Sequence, residues 1–188
     1  MTRPRFHIHM TGIAGVAVVE RLPIHDERGF FERVFCTQEF AALTQNKPLV
    51  QINRTLTKRR GTVRGLHFQY PPAAEIKCVT CLRGELLDVA VDIRAGSPTF
   101  LQVHSEFLSA DNHKMMVIPA GCAHGFQALT DDCELLYLNT AAHAPELESG
   151  LHPTDPQLNV NWSLPLIDLS PRDAERALLD VGFQGILL

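Results

Sequence analysis

Nine histidines are spread through the 188 residues, and the residues around two of them could carry acid–base chemistry. The unperturbed imidazole pKa of about 6.5 lies near neutral pH, so histidine readily lends and takes protons there. His67 stands in Thr62–Gln69, which reads as a strand. Alternation groups it with Val63, Gly65 and Gln69, and puts Arg64, Leu66 and Phe68 on the other face. A histidine so placed faces either a polar cavity or a hydrogen-bonded core position. Further on, Lys77 shares a face with Val79 and Cys81, and Asp88 and Asp92 alternate with Leu87, Val89, Val91 and Ile93. These polar positions fit a sheet with one wet face, and equally a barrel whose interior holds a ligand. Pro119-Ala-Gly121 forces a tight turn just before His124 and fixes where its strand starts. Tyr137, one of only two tyrosines, is either a strand aromatic with its hydroxyl at the rim or an acid. A cavity holding His67, Lys77, Tyr137 and a carboxylate would suit carbon-acid chemistry. A base takes a proton beside a carbonyl, a cation steadies the enolate oxygen, and a second acid returns the proton.

Short β segments must position these side chains. Candidate strands are Ile13–Glu20, Phe30–Cys36, Val50–Leu56, Thr62–Gln69, Ile76–Leu82, Glu85–Ile93, Phe100–Leu108, Lys114–Ile118, His124–Leu129, Glu134–Thr140 and Leu158–Trp162. Breakers such as Arg60-Gly61, Arg83-Gly84 and Gly96-Ser97-Pro98 separate many of them, the texture of an all-β sandwich or barrel. Two helices are expected, Gln38–Leu43 and Pro171–Leu179. Ser170 would cap the second, with Pro171 in its first turn and Asp173 completing an S-x-x-D box. A single domain over residues 1–188 is the expected organisation.

Composition narrows the partners. Seventeen Lys and Arg against twenty-one Asp and Glu give a net charge of −4, which offers no basic field for nucleic acid. No apolar run approaches the ~20 residues needed to span a bilayer. Met1 to Met10 carry Arg3, Arg5, His7 and His9 without an apolar stretch, so no export signal is expected and the cytoplasm is the expected compartment. The five cysteines, an odd number, read as free thiols of a reducing compartment. Cys78 and Cys81 lie three apart in a strand and point to opposite faces, which suits small buried side chains better than a metal or redox pair.

The stretch Pro119-x-Gly121-x-x-His124 resembles the second motif of the cupin β-barrels. Metal-binding cupins pair it with an upstream H-x-H and a Glu; here that stretch is His67-Phe68-Gln69, so no metal is expected. A more specific resemblance extends from about Pro23 to Leu179. The landmarks are Asp26-x-Arg28-Gly29-Phe30-Phe31, Gln51-x-Asn53, Arg64-Gly65-Leu66-His67-Phe68-Gln69, Lys77, Asp88-x-x-x-Asp92-x-Arg94, Ser97-Pro98-Thr99-Phe100, Asp155-Pro156 and Leu169-Ser170-x-Arg172-Asp173. In this order they resemble the dTDP-4-dehydrorhamnose 3,5-epimerases. The resemblance implies a cupin-type jelly-roll barrel with short peripheral helices, a homodimer with shared sites, and a small nucleotide-sugar substrate handled with no cofactor. It also implies roles: His67 as base, Asp173 as its carboxylate, Lys77 beside the C4 oxygen and Tyr137 as the opposing acid. Arg64 and His124 would line the sugar and phosphate site, and Arg28, Phe31, Gln51 and Asn53 the nucleotide site, partly from the other subunit. The segment Leu151-His-Pro-Thr-Asp155-Pro lacks the tryptophan common before its acidic residue, and two single positions also depart from the family. Arg33 stands where a Glu is frequent, and His143 stands six residues after Tyr137 where a second tyrosine is usual. His143 is still placed in the substrate site. Because of these departures, inversion at C3 or C5 alone, on a dTDP- or CDP-linked sugar, is the alternative reading; a metal-dependent cupin and a non-catalytic sugar-nucleotide binder are the more distant ones.

Overall fold

The computed structural model describes residues 4–188; Met1–Arg3, part of the stretch read for an export signal, lie outside the described residues. Two antiparallel sheets face each other. The six-stranded sheet runs β1 (Phe6–Met10), β2 (Ala17–Arg21), β10 (Lys114–Ile118), β7 (Lys77–Arg83), β12 (Cys133–Asn139) and β5 (Gln51–Thr57). The five-stranded sheet runs β13 (Glu148–Gly150), β6 (Val63–Gln69), β11 (Cys122–Ala128), β8 (Glu85–Asp92) and β9 (Val103–Ser109). A hairpin of β3 (Ile24–Asp26) and β4 (Gly29–Phe31) stands apart with exposed side chains. One short helix, α1 (Pro171–Ala174), completes the structure. No helix among the described residues is long and apolar enough to cross a membrane.

Alternation explains how the layers hold. Val79, Cys81, Leu86, Ala90, Phe126 and Leu135 point between the sheets and form the inner core. The opposite faces are apolar as well, and loops cover them. Phe35, Phe40 and Leu43 lie over Cys78, Met115 and Val117 of the six-stranded sheet. Leu158, Trp162 and Phe183 lie over Val89, Val91 and Ala123 of the five-stranded sheet. Strands buried on both faces lose the apolar–polar alternation, and all seven residues of β11 are accordingly buried. All five cysteines are free, with Cys78 in the outer cluster and Cys81 in the inner one, as strand geometry requires.

Several elements differ from the sequence expectation for local reasons. Strand Ile13–Glu20 shrinks to Ala17–Arg21, because Val16 N–H turns back to the Ile13 carbonyl around Gly15 at φ +82°. Only Phe30 and Phe31 of Phe30–Cys36 are extended; Val34, Phe35 and Cys36 leave the hairpin to cover the sheet. Gln38–Leu43 forms separate turns, and Leu158–Trp162 is irregular, its apolar side chains serving as a cover. The second helix stops at Ala174, after one turn. Strands Phe6–Met10, Ile24–Asp26 and Glu148–Gly150 were not expected: the first and third are edge strands, and the second belongs to the isolated hairpin.

Asp92 ties down the end of β8. Its carboxylate accepts from Arg94 (2.8 and 2.7 Å), Ser97 (2.5 Å) and Thr99 (2.6 Å). Burial pushes the carboxyl up, but these donors outweigh burial and bring it down to about 2 from 3.8. A depressed carboxylate adds stability above its unfolded pKa, and that stability disappears as pH falls through the folded value. Asp92→Asn is expected to cost about 2 kcal/mol at pH 7 and to flatten the loss of stability between about pH 4 and pH 2, measured by urea unfolding across pH.

Candidate active site

Where the inner core stops being apolar, a cavity of about 1000 Å³ opens between the sheets. Asn53 and Thr55 of β5, Arg64 and His67 of β6, Lys77 of β7, His124 of β11 and Tyr137 of β12 line it, and Asp168–Asp173 wall one side. A smaller recess of about 250 Å³, reached past Gln51, Gln69 and Glu75, shares His67, Lys77 and His143 with it.

Arg64 and His67 both reach this cavity, although simple alternation assigns them to opposite faces. The register explains the difference. His67 pairs with His124 while Arg64 pairs with Phe126, so three steps along β6 match two along β11. The extra residue is a β-bulge, which reverses the phase of the strand beyond it. The crossing is too tight for side chains. A Cβ on Gly65 would lie 2.4 Å from Gly125 Cα, and one on Gly125 would lie 2.7 Å from the Arg64 carbonyl oxygen. Gly65 also has φ +130°, a conformation that L side chains rarely adopt.

His67 Nε2 lies 2.6 Å from Asp173 Oδ1. Asp173 is delivered by α1: the Ser170 hydroxyl caps the helix by accepting from Asp173 N–H (3.1 Å), as the S-x-x-D pattern predicts. The carboxylate itself turns to the histidine, so of the two roles open to Asp173 the pairing with His67 prevails. Burial raises the Asp173 carboxyl, yet the hydrogen bond and charge of His67, with Ser170 and the Gly65 amide, hold it below the usual carboxylate range. With Nε2–H donated to Asp173, the Nδ1 lone pair is left free, which is the tautomer of a base.

Lys77 Nζ donates to the His67 carbonyl (3.1 Å) and pairs with Glu75 (3.0 Å), a buried carboxylate that also accepts from Gln69 Nε2 (2.9 Å). Tyr137 sits opposite Asn53 in register, and its ring meets that of His124 edge-on, with centroids 5.9 Å apart. Burial pushes its phenol well up, so it stays neutral. His124 Nε2 lies 2.7 Å from Asp88 Oδ1 in a second buried imidazole–carboxylate pair. Burial pushes the Asp88 carboxyl up despite the opposing pull of His124 and Lys77.

At the mouth, His143 N–H donates to Gln51 Oε1 (2.8 Å), and its Nε2 lies 2.7 Å from Glu148 Oε2. Glu148 also holds Arg172 at 3.1 Å, and Arg172 in turn comes within 3.4 Å of His67 Nε2. Gln51 Nε2 donates to Asn53 Oδ1 (3.1 Å). Nine of the expected site residues therefore converge: His67, Lys77, Tyr137, Asp173, Gln51, Asn53, Arg64, His124 and His143. Arg28 and Phe31 do not. They stand on the exposed hairpin, where Arg28 pairs with Asp26 at 2.6 Å. Sequence reasoning missed two partners, Glu75 and Glu148, and gave no site role to two others that it named, Asp88 and Arg172. The i, i+2 spacing of Glu75 and Lys77 offered a signal for one of them; Glu148, in a three-residue strand, offered none. Among the described residues, no three His, Cys, Asp or Glu side chains converge to hold a metal ion.

With this geometry in place, comparison with known proteins is decisive. The family model described as dTDP-4-dehydrorhamnose 3,5-epimerase matches residues 10–180. The chain belongs to the dTDP-4-dehydrorhamnose 3,5-epimerase family. A family member from Sinorhizobium fredii is 41% identical, over 93% of this chain and 91% of its own. A dTDP-4-dehydrorhamnose 3-epimerase from Streptomyces niveus is 37% identical, over 89% and 81%. The crystal structure of an epimerase from Legionella pneumophila in complex with dTDP-4-keto-L-rhamnose superimposes with a TM-score of 0.89. It is 37% identical and aligns over 97% of this chain and 99% of that one. The cupin-type barrel expected from the sequence is thus the fold of the family.

The glycine crossing is what lets this cavity hold Arg64 and His67 together. Gly65→Ala is expected to lose about 2–4 kcal/mol of stability, because backbone rather than a movable side chain meets the new methyl. Urea midpoints at unchanged m-value check this; a midpoint equal to wild type would show that β6 tolerates the methyl.

Proposed function

We propose that the protein epimerises a dTDP-linked 4-keto-6-deoxyhexose at C3 and C5, the two carbons whose hydrogens the C4 ketone acidifies. One observation carries the reading: the His67–Asp173 pair shares a single cavity with Lys77 and Tyr137. His67 removes a proton through Nδ1, and Asp173 orients the ring and offsets the charge it gains. Lys77 steadies the oxygen of the enolate, where a fixed cation is worth far more than in water. Tyr137, a neutral phenol on a facing strand, returns a proton to the opposite side of the carbon. Arg64 offers a planar guanidinium suited to phosphate oxygens. All these groups are side chains of this chain, and the proposed chemistry uses no metal or organic cofactor.

The exposed Arg28 and Phe31 bear on assembly. We place them in the nucleotide site of a second copy, so that a homodimer shares its two sites. The support is a hairpin that carries Phe30 and Phe31 more than half exposed, outside the cavity of its own chain. A second reading, inversion at one carbon alone, draws on His143, which is engaged by Glu148 at the mouth, and on the 3-epimerase among the relatives.

Turnover in D₂O with dTDP-4-keto-6-deoxy-D-glucose, followed by NMR, tests the reading. Deuterium is expected at C3 and C5 with inversion at both; label at one carbon supports the second reading, and no exchange overturns both. His67→Asn and Asp173→Asn are each expected to lower kcat at least about hundredfold, the scale of a general base, and to lower the melting temperature by a few degrees, since each leaves a largely buried partner unpaired. Phe31→Ala is expected to raise KM while leaving kcat near wild type.

A further inference from the structure

Three histidines lie in one row across the five-stranded sheet. In register, His67 faces His124, His124 faces Ala90, and Ala90 faces His104. The first two line the cavity; His104 is on the far side, and its side chain is 24% exposed. Asp88 lies in the adjoining row on the same inner face, between β11 and β9. Its Oδ1 holds His124, while its Oδ2 is fully buried and has no hydrogen-bond partner among the described residues. His104 Nε2 is likewise buried and without a hydrogen-bond partner among them. Asp88 Oδ2 without a hydrogen bond, beside a His104 Nε2 that has only the Glu106 carboxylate at 3.5 Å, calls for an explanation in an interior where an unmade hydrogen bond costs about 1–3 kcal/mol.

We propose that His104, Asp88 and His124 form a proton relay through the barrel wall, from solvent beside β9 to Tyr137 in the cavity. The need for it rests on the epimerase reading. Each inversion deposits a proton on His67 and draws one from Tyr137. A substrate inverted at two carbons before it leaves requires Tyr137 to be reprotonated while the substrate still occupies the cavity. In the relay His104 takes a proton from solvent and passes one from Nε2 to Asp88 Oδ2, directly or through one water. Asp88 rests protonated on Oδ1 and His124 as its Nδ1–H tautomer, so Asp88 gives the Oδ1 proton to His124 Nε2 (2.7 Å away) as Oδ2 takes the incoming one. His124, in edge contact with Tyr137, releases one from Nδ1 to the phenolate. One proton moves from solvent to Tyr137, and no net charge stays on the relay. The raised Asp88 carboxyl suits a group that must hold a proton in passing. The charged neighbours are Glu106 on β9 itself, 3.5 Å from His104 Nε2, Lys114 on β10, which pairs with Glu106 at 2.6 Å, and Lys77 on β7 near Asp88.

His104→Gln keeps a side chain of similar size but cannot relay, and His104→Leu is a second variant should the first fail to fold. Either is expected to lower kcat about tenfold at unchanged KM, a modest share of an acid–base contribution. The loss is expected to deepen as pH rises, to enlarge the solvent isotope effect and to be partly restored by imidazole in the buffer. Independently of turnover, solvent exchange of the proton shared by Asp88 Oδ1 and His124 Nε2, read by NMR, is expected to slow about tenfold in the variant, because its route to solvent is cut. Wild-type kcat and isotope effect together with unchanged exchange would overturn the relay. Slowed exchange in an enzyme that turns over no nucleotide 4-keto sugar would keep the relay and overturn the epimerase reading instead.

Discussion

The site depends on a place where two backbones nearly touch. Gly65 and Gly125 cross so closely that neither has room for a methyl group, and the extra residue of β6 is absorbed there. Downstream of the crossing His67 faces the cavity; upstream Arg64 does too. Without the bulge one of them would point into the outer apolar cover, where neither an imidazole nor a guanidinium could stay without a partner. The proposed base and the proposed phosphate ligand are therefore set by one local backbone feature; neighbouring strands place the lysine and tyrosine around it, and α1 the carboxylate.

The second constraint is electrostatic. A barrel this small holds Asp88, Asp92, Asp173, Glu75, Lys77, Arg21 and His124 in or near its interior. Burying a lone charge is costly, and pairing with hydrogen bonding is the usual remedy. Arg21 lies between Glu32 at 3.1 Å and Thr80, Asp92 has three donors, and both cavity imidazoles have carboxylates. Such a network tolerates loss poorly, since removing one partner strands another. That is the cost of polar machinery in a space whose outer faces are already committed to apolar packing.

Much of this was legible in the sequence, for reasons that also mark where legibility ends. The strands read over Lys114–Ile118 and Glu85–Ile93 follow from short apolar runs between turn residues, and Ser170 with Pro171 announces its helical turn. Family motifs point to His67, Lys77, Tyr137 and Asp173, and each of the four lies in the cavity. The phase of β6 was not legible, because Gly65 reads as an ordinary strand residue until its neighbour across the sheet is known. Glu148 was not legible either: a three-residue edge strand has no periodicity. Leu158–Trp162 misleads because an apolar cover and an apolar strand have the same composition, and tertiary contacts alone separate them.

His67 and Asp173 are 106 positions apart along the chain. They meet only when a barrel built from non-local pairings has closed, the kind of topology that assembles late and slowly. Until then an isolated imidazole has no carboxylate to orient it, and the cation and phenol are dispersed. The chemistry is therefore silent in nascent and partly unfolded chains. A misfolded copy does not become a poorly controlled catalyst that strips protons from reactive keto sugars, so the long separation acts as quality control over the reaction.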